Sequence, residues 1–202
     1  MDLDEARTRI LDAAERLFYD RGIQSVGMDE LRGAAGVSLK RLYQCFPAKR
    51  DLVEAYLRRR DARWRTALAE YVDARAGGPA DRPLAVFDWL GDWFAETGFR
   101  GCAFVNAYGE LGAASEAVGR VAREHKEALR RYVAGLVRAL PVAGPEVLAG
   151  QVVLLIDGAI AGAALMGEPD AARRARTAAA ALIEAAGGGA GAGARSAQSD
   201  GT

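Results

Sequence analysis

The sequence has 202 residues, of which 50% are hydrophobic and 27% are charged, and its 27 Lys and Arg balance 27 Asp and Glu. This length can bury a sizeable core, and the zero formal charge excludes a protein that binds nucleic acid through an overall basic surface. The acidic residues 1–5 do not resemble a secretory signal, and the longest apolar stretch, 152–166, is shorter than the roughly 20 residues that cross a bilayer. Cys45 and Cys102 lack the spacing of a zinc or redox site. We therefore expect a soluble, cytoplasmic protein with no membrane partner, no metal and no cofactor.

Helical periodicity along almost the whole chain predicts an all-α fold of about nine helices. The first helix is expected over 3–20, and Gly22 ends it. Its apolar stripe consists of Ile10, Ala13, Ala14, Leu17 and Phe18. A second helix is expected over 28–35, and a short turn over 36–38 leads to a third helix that ends at Pro47.

A longer fourth helix is expected over 49–74, so that it begins in the N-terminal module and leaves it. Gly and Pro breaks divide the remainder into helices near 83–97, 101–111, 115–140, 145–166 and 170–186. The Gly-rich segment 187–202 reads as a disordered tail, because nothing in it is apolar enough to pack. The predicted domains are 1–50, 51–186 and this tail.

Two short helices joined by a tight turn that contains Gly match the helix-turn-helix, whose second helix enters the DNA major groove. In addition, residues 9–57 resemble the DNA-binding domain of the TetR family along their entire length. The residues that carry the resemblance are Ala13, Ala14, Leu17, Phe18, Gly22, Ala35, Gly36, Val37, Ser38, Leu42, Tyr43, Phe46, Lys49 and Leu52. The resemblance implies a three-helix DNA-binding domain followed by a helical domain for ligand binding and dimerisation.

The third helix is expected to anchor through Leu42 and Phe46 and to turn its other side outward. Lys40, Arg41 and Gln44 then become base readers, because Arg and Lys bond guanine O6 and N7 and Gln pairs with adenine. A solvated face is the plainer interpretation of Lys40 and Arg41.

Several neighbouring residues are expected to support this contact with DNA. Ser38 caps the helix, and Leu39 is expected to meet a thymine methyl group. Tyr43 and Lys49 occupy positions that hold phosphate in the family, and Arg32 adds a phosphate contact. Lys40, Arg41, Gly27 and Arg32 depart from the usual family pattern, and we expect these departures to affect operator choice rather than class.

In TetR-like proteins the last two long helices of each subunit form a four-helix bundle with their twofold mates. Helix 145–166 is apolar all round, and helix 170–186 carries small residues on one side. The predicted interface residues are Leu155, Gly158, Gly162, Ala175, Ala179 and Leu182. An ordinary core within one chain is the alternative.

The family also binds its effector among the middle helices, where this sequence supplies ring-bearing and polar side chains. The predicted pocket residues are Trp64, Phe87, Phe94, Phe104, Asn106, Tyr108 and His125. For each polar member, a structural hydrogen bond is an equal alternative. These side chains favour a largely apolar small molecule.

We expect a homodimeric regulator, most simply a repressor that a small-molecule effector releases from a palindromic operator in double-stranded DNA. An effector-independent regulator or an activator is the alternative. An enzyme is disfavoured, because His125 is the single His and the sequence has no GxSxG, HExxH or Gly-rich phosphate loop.

Overall fold

The computed structural model describes residues 2–196, and for residues 189–196 only their helical backbone. Nine helices make up the regular structure of these residues, which confirms the predicted all-α fold. The helices are α1 (Leu3–Arg21), α2 (Met28–Ala35), α3 (Leu39–Cys45), α4 (Lys49–Arg75), α5 (Arg82–Phe94), α6 (Ala103–Leu111), α7 (Glu116–Arg138), α8 (Pro145–Met166) and α9 (Ala171–Ser196).

Contacts divide the chain into two compact units. The first comprises residues up to Arg65 together with Cys102–His125, and the second comprises Thr66–Gly101 and the chain from Lys126 onwards. Helices α4 and α7 each contribute residues to both units. The predicted domain boundary at residue 50 is a functional division and stays a prediction.

The first unit is built on the apolar face of α1. Ile10 and Ala14 on this face are fully buried, as are Leu31 of α2 and Leu52 of α4. Asp2 begins α1 by accepting a hydrogen bond from the Glu5 N–H at 2.7 Å, which satisfies one of the free donors at the helix start. The predicted stripe of α1 is thus the core face, with Leu17 half-buried at its edge.

The second unit packs α5, α8 and α9 together. Leu90 of α5, Val152 and Ile156 of α8 and Ala179 of α9 have no exposed surface. Gly91 of α5 lies beside α9, and a Cβ there would make an ordinary van der Waals contact with the Cβ of Ala172 at 3.7 Å. Small residues on α9 therefore serve the core of this unit.

The last helix is longer than predicted. α9 continues to Ser196, so the predicted helix end at Ala186 was wrong by ten residues, and residues 187–196 are helical rather than tail. The physical reason is that Ala has the highest helix propensity and the interspersed Gly residues weaken a helix without blocking its hydrogen bonds, as Pro would. The remaining predicted tail, 197–202, lies outside the described residues.

Helix α8 is long and apolar enough, by length and composition alone, to cross a membrane, with a mean hydropathy of 1.9 over its most apolar window. Only 33% of that window is buried within the chain. One face of α8 therefore carries apolar residues that no described part of the chain covers.

Candidate nucleic-acid interface

The turn between α2 and α3 has the geometry that its sequence predicts. Gly36 adopts a left-handed conformation with φ +64°, which a residue with a Cβ rarely adopts. The Val37 N–H then donates to the Arg32 carbonyl at 3.2 Å, and the Val37 side chain is 6% exposed. Ser38 accepts a hydrogen bond from the Arg41 N–H through its hydroxyl at 3.2 Å. The left-handed turn at Gly36 and the Ser38 cap of α3 therefore have the geometry expected from the sequence.

Helix α3 is anchored on one side and exposed on the other. Leu42 and Phe46 are buried at 0% and 1% exposure, as predicted from their spacing. The exposed residues, which we call the reading face, are Leu39, Lys40, Tyr43 and Gln44. Leu39 is 49% exposed and Tyr43 is 45% exposed, although both are large and apolar or aromatic. Leu39 and Tyr43 are four residues apart, so they lie side by side on this exposed face.

The two arginines predicted to contact DNA, Arg32 and Arg41, are half-buried and do not belong to the reading face. Arg41 is half-buried and already has a partner within the chain. Arg32 donates from Nε to Asp29 at 2.8 Å, one turn earlier in α2. Since this carboxylate offsets the charge of Arg32, a phosphate contact at Arg32 has to compete with it.

Lys49 is held inside the first unit rather than extended into solvent. Its Nζ donates to the Ile23 carbonyl at 2.7 Å and lies 5.8 Å from the centre of the Phe18 ring. Burial lowers the pKa of Lys49, and the nearby Glu110 carboxylate opposes this effect. An ammonium group has three donors, so a phosphate contact remains compatible with the bond to Ile23.

Glu110 of α6 is a residue that the sequence analysis missed. Its carboxylate accepts hydrogen bonds from the Ile23 N–H at 3.1 Å and from the Gln24 N–H at 2.9 Å. The Gln24 side chain donates in return to the Glu110 carbonyl at 2.7 Å. Helix α6 is thereby bonded to the loop that leads into α2. No short motif signals this contact, because Glu110 lies 87 residues after Ile23 and 86 residues after Gln24.

Three predicted pocket residues of the first unit lie together. The Phe104 ring stacks on the His125 ring with centroids 3.7 Å apart, and Trp64 meets the same imidazole edge-on at 5.3 Å. His125 is 3% exposed, and its Nδ1 bonds the Asp61 carboxylate at 2.8 Å. These contacts satisfy His125 within the chain, in keeping with the structural alternative.

The ion pair at His125 shifts both of its members toward their charged forms. Burial acts to lower the pKa of His125, but hydrogen bonds to Asp61 and Cys102 outweigh it and raise that pKa. Burial likewise acts to raise the pKa of Asp61, and hydrogen bonds from His125 and Arg65 bring it down to about 2. The lowered pKa keeps Asp61 a carboxylate near neutral pH, and this carboxylate favours the protonated form of His125.

The other predicted pocket residues have different surroundings. Asn106 and Tyr108 of α6 are exposed, Tyr108 by 54%, so in this chain they do not share the burial of Phe104. Phe87 and Phe94 belong to the second unit, where Phe87 is 1% exposed and Phe94 is half-buried 4.9 Å from the ring of Phe99. A single pocket formed by all seven residues stays a prediction.

The predicted dimer residues divide into buried and accessible ones. Ala175 and Ala179 are 8% and 0% exposed, so they pack within their own chain, and their assignment to the interface stays a prediction. Gly162 also faces its own chain, since a Cβ there would lie 3.0 Å from the Glu168 carboxylate. The sequence predicted that small residues mark the dimer contact, but α9 uses them to pack against α5 and α8.

The exposed face of α8 is a regular stripe. Its members repeat at alternating intervals of four and three residues, and we call them the α8 stripe: Val147, Gln151, Leu154, Gly158, Ala161 and Leu165. Leu154 is 72% exposed, Leu165 85% and Val147 69%. Leu155 lies half-buried beside the stripe, and Leu182 is half-buried on α9. Residues at this spacing lie on one face of the helix, so the exposed Val147, Leu154 and Leu165 share that face.

Residues 10–56 match a family profile described as bacterial regulatory proteins, tetR family. Over 56 residues the chain is 48% identical to the HTH-type transcriptional activator FasR of Mycolicibacterium smegmatis, a match that covers 28% of this chain and 26% of that protein. The chain thus spans about a quarter of the length of the curated relatives that it matches.

Two solved structures match along nearly the whole chain. A TetR-family transcriptional regulator from Streptomyces coelicolor is 29% identical with a TM-score of 0.83, and the match covers 91% of this chain and 97% of that one. A putative TetR transcriptional regulator from Streptomyces avermitilis is 30% identical with a TM-score of 0.78, covering 90% of this chain and 97% of that one.

Proposed function

This chain belongs to the TetR family of bacterial regulatory proteins, and we propose that it is a homodimeric, cytoplasmic transcription regulator that binds a palindromic operator in double-stranded DNA. The observation that carries the proposal is the reading face of α3, which a Gly turn and a buried Leu42–Phe46 anchor hold outward. The relatives reported above are transcription regulators rather than enzymes.

The reading face supplies both kinds of contact that an operator complex needs. Lys40 and Gln44 bond base edges in the major groove, and Leu39 covers a thymine methyl group. Tyr43 reaches phosphate, which positions the helix without specifying sequence. Arg41 joins the base readers by exchanging its partner within the chain for guanine.

The dimer is proposed to form through the α8 stripe, with Leu155 and Leu182 at its margins. Helix pairing along a four-and-three repeat removes the exposed Val147, Leu154 and Leu165 from water, and Gly158 and Ala161 permit close approach. In a twofold dimer the two reading faces address half-sites related by the same symmetry, which is why the operator is an inverted repeat.

Regulation is proposed to follow the repressor scheme, in which a largely apolar small molecule favours a conformation that no longer fits the operator. Support comes from the aromatic side chains in both units, including Phe104 and Trp64 in the first and Phe87 and Phe94 in the second. Activation is the second candidate, and it is favoured by the 48% identity of the DNA-binding region to a protein named as an activator.

Selection of bound duplexes from a random DNA pool tests this function. Wild-type protein is expected to recover an inverted repeat, whereas a Lys40→Ala and Gln44→Ala double variant recovers a degenerate site. A control variant, Glu116→Gln, alters one exposed charge on α7, away from the reading face in sequence. Recovery of no common sequence by the wild type, or of the same sequence by the double variant, contradicts the proposal.

A further inference from the structure

The loop between α1 and α2 is held by hydrogen bonds from two other helices. The Glu110 carboxylate of α6 receives the backbone N–H groups of Ile23 and Gln24 at 3.1 and 2.9 Å. Lys49 of α4 donates to the carbonyl of the same Ile23 at 2.7 Å. Both backbone groups of Ile23 are thus bonded outside their own loop. We call Gln24, Lys49 and Glu110 the loop clasp.

The side chain of Gln24 closes the clasp from the other direction. Its Nε2 donates to the Glu110 backbone carbonyl at 2.7 Å. The backbone of Gln24 thus bonds the side chain of Glu110, and the side chain of Gln24 bonds the backbone of Glu110. Hydrogen bonds to a charged acceptor are roughly twice as strong as neutral ones. A carboxylate that receives two backbone donors therefore fixes the loop more firmly than an amide in its place.

Gly22 provides the space for this carboxylate. A Cβ on Gly22 would lie 3.2 Å from Oε1 and 3.3 Å from Oε2 of Glu110. The φ of Gly22 is +86°, a conformation that also favours glycine. The same residue that ends α1 thus leaves room for Glu110 above the loop.

We propose that Glu110 is a positioning residue for DNA binding, which sets where α2 begins and so places the reading face of α3. This inference rests on the proposed function. After the clasped residues Ile23 and Gln24, Val26 is buried at 1% exposure and α2 starts at Met28, four residues beyond Gln24. A displacement of the loop also displaces α2, because only three residues separate Gln24 from Met28 and they can span only a short distance.

The clasp also determines how Lys49 meets DNA. Lys49 carries a backbone bond to Ile23 and feels the negative charge of Glu110. Removal of that charge leaves Lys49 freer to approach phosphate, while the loop loses its two charge-assisted bonds. The positioning role therefore predicts a loss of sequence preference together with an undiminished salt dependence.

The test compares Glu110→Gln with Glu116→Gln, which removes the same charge from an exposed site in the first turn of α7. Amide hydrogen exchange is measured on the full chain at Ile23 and Gln24. In Glu110→Gln these two amides are expected to exchange at least about tenfold faster, while amides of buried Leu42 and Leu52 remain as in wild type. Glu116→Gln is expected to change neither group.

DNA binding is measured with the duplex recovered from the random pool and with a scrambled duplex of equal length. Glu110→Gln is expected to weaken binding to the recovered duplex about tenfold with little change for the scrambled one. Gln24→Ala, which deletes one side-chain bond of the clasp, is expected to act in the same direction and more weakly.

The outcomes separate this inference from the function on which it rests. Wild-type exchange rates and wild-type affinity in Glu110→Gln overturn the positioning role, and so does faster exchange across all buried amides with equal losses on both duplexes. If the wild type selects no sequence, the proposed function fails, and the exchange rates at Ile23 and Gln24 still decide whether Glu110 holds the loop.

Discussion

Shortening Leu154 in the α8 stripe is expected to weaken the dimer strongly. Leu154→Ala removes three carbons, each worth about 0.8 kcal/mol when buried. Leu154 is 72% exposed in the single chain, so about 1.7 kcal/mol of burial is lost per protomer. Since a twofold interface contains the residue twice, the loss is about 3.5 kcal/mol, which corresponds to a dimer dissociation constant raised by a factor of a few hundred.

Sedimentation equilibrium over a wide concentration range measures this dissociation constant. Leu3→Ala is the matched control, because Leu3 is 50% exposed and lies outside the stripe. At concentrations where Leu154→Ala and Leu3→Ala are both monomeric, thermal unfolding should give the two variants equal melting temperatures, since Leu154 contributes little to the core of its own chain. An unchanged dissociation constant for Leu154→Ala, or a wild type that is monomeric throughout, refutes the assignment of this face.

Two glycines of α8 give an independent check on the orientation of the helix. Gly158 is exposed with open space around its missing Cβ, whereas Gly162 faces Glu168. Gly158→Leu is therefore expected to impair dimerisation without lowering the stability of the monomer, and Gly162→Leu is expected to destabilise the monomer itself. The opposite pattern contradicts the placement of the stripe.

Three further predictions follow from the site and from the buried ion pair. Lys40→Ala is expected to reduce discrimination at one base pair of the operator by about 1–3 kcal/mol, and equal losses on specific and scrambled DNA in equilibrium titrations would exclude a base contact. Tyr43→Phe is expected to weaken both duplexes alike, so selective loss on the operator would exclude a phosphate contact. Asp61→Asn is expected to cost about 2 kcal/mol of unfolding free energy at pH 5 and to flatten its pH dependence, measured by urea unfolding from pH 2 to 8. The pKa of Asp61 is lowered from 3.8 to about 2, so its contribution to the free energy of unfolding is lost as the pH falls through that interval. The pKa of His125 is raised above 6.5, so its contribution is lost as the pH rises through the higher value. A pH profile unchanged by Asp61→Asn contradicts this pairing.

The helix-turn-helix was predictable because each of its parts depends on a few neighbouring residues. The left-handed Gly36, the capping Ser38 and the buried pair Leu42 and Phe46 follow from conformational preference and helical spacing alone. The bounds of α2 and α8 agree with the prediction for the same reason, since Gly or Pro marks both of their ends. Rules for turns, helix caps and helical spacing were therefore sufficient for these elements, since each depends on residues that are close together in the sequence.

The exposed face of α8 was harder to predict, because an apolar sequence does not reveal which side of a helix its own chain covers. In α8 both Val152 and Leu154 are apolar, yet the first is fully buried and the second is 72% exposed. Helices α5 and α9 pack against α8, and Val152 lies on its covered side whereas Leu154 does not. The small residues Ala175 and Ala179 signal a close helix contact correctly, but composition cannot say whether the contact is within a chain or between two.

Contacts between distant residues set the limit for the binding site as well. The sequence identified Lys49 as a candidate phosphate contact, but it did not reveal the bond to Ile23 or the nearby Glu110. Glu110 is one of 27 acidic residues, and it lies more than 80 positions from Ile23 and Gln24. The same holds for His125, whose partner Asp61 is 64 residues earlier. The residues predicted to contact DNA follow from a local sequence pattern, whereas the residues that bond to them are found only when the chain is folded. For this reason the role of Lys49 has to be assigned together with that of Glu110, since both residues bond the backbone of Ile23 in the same loop.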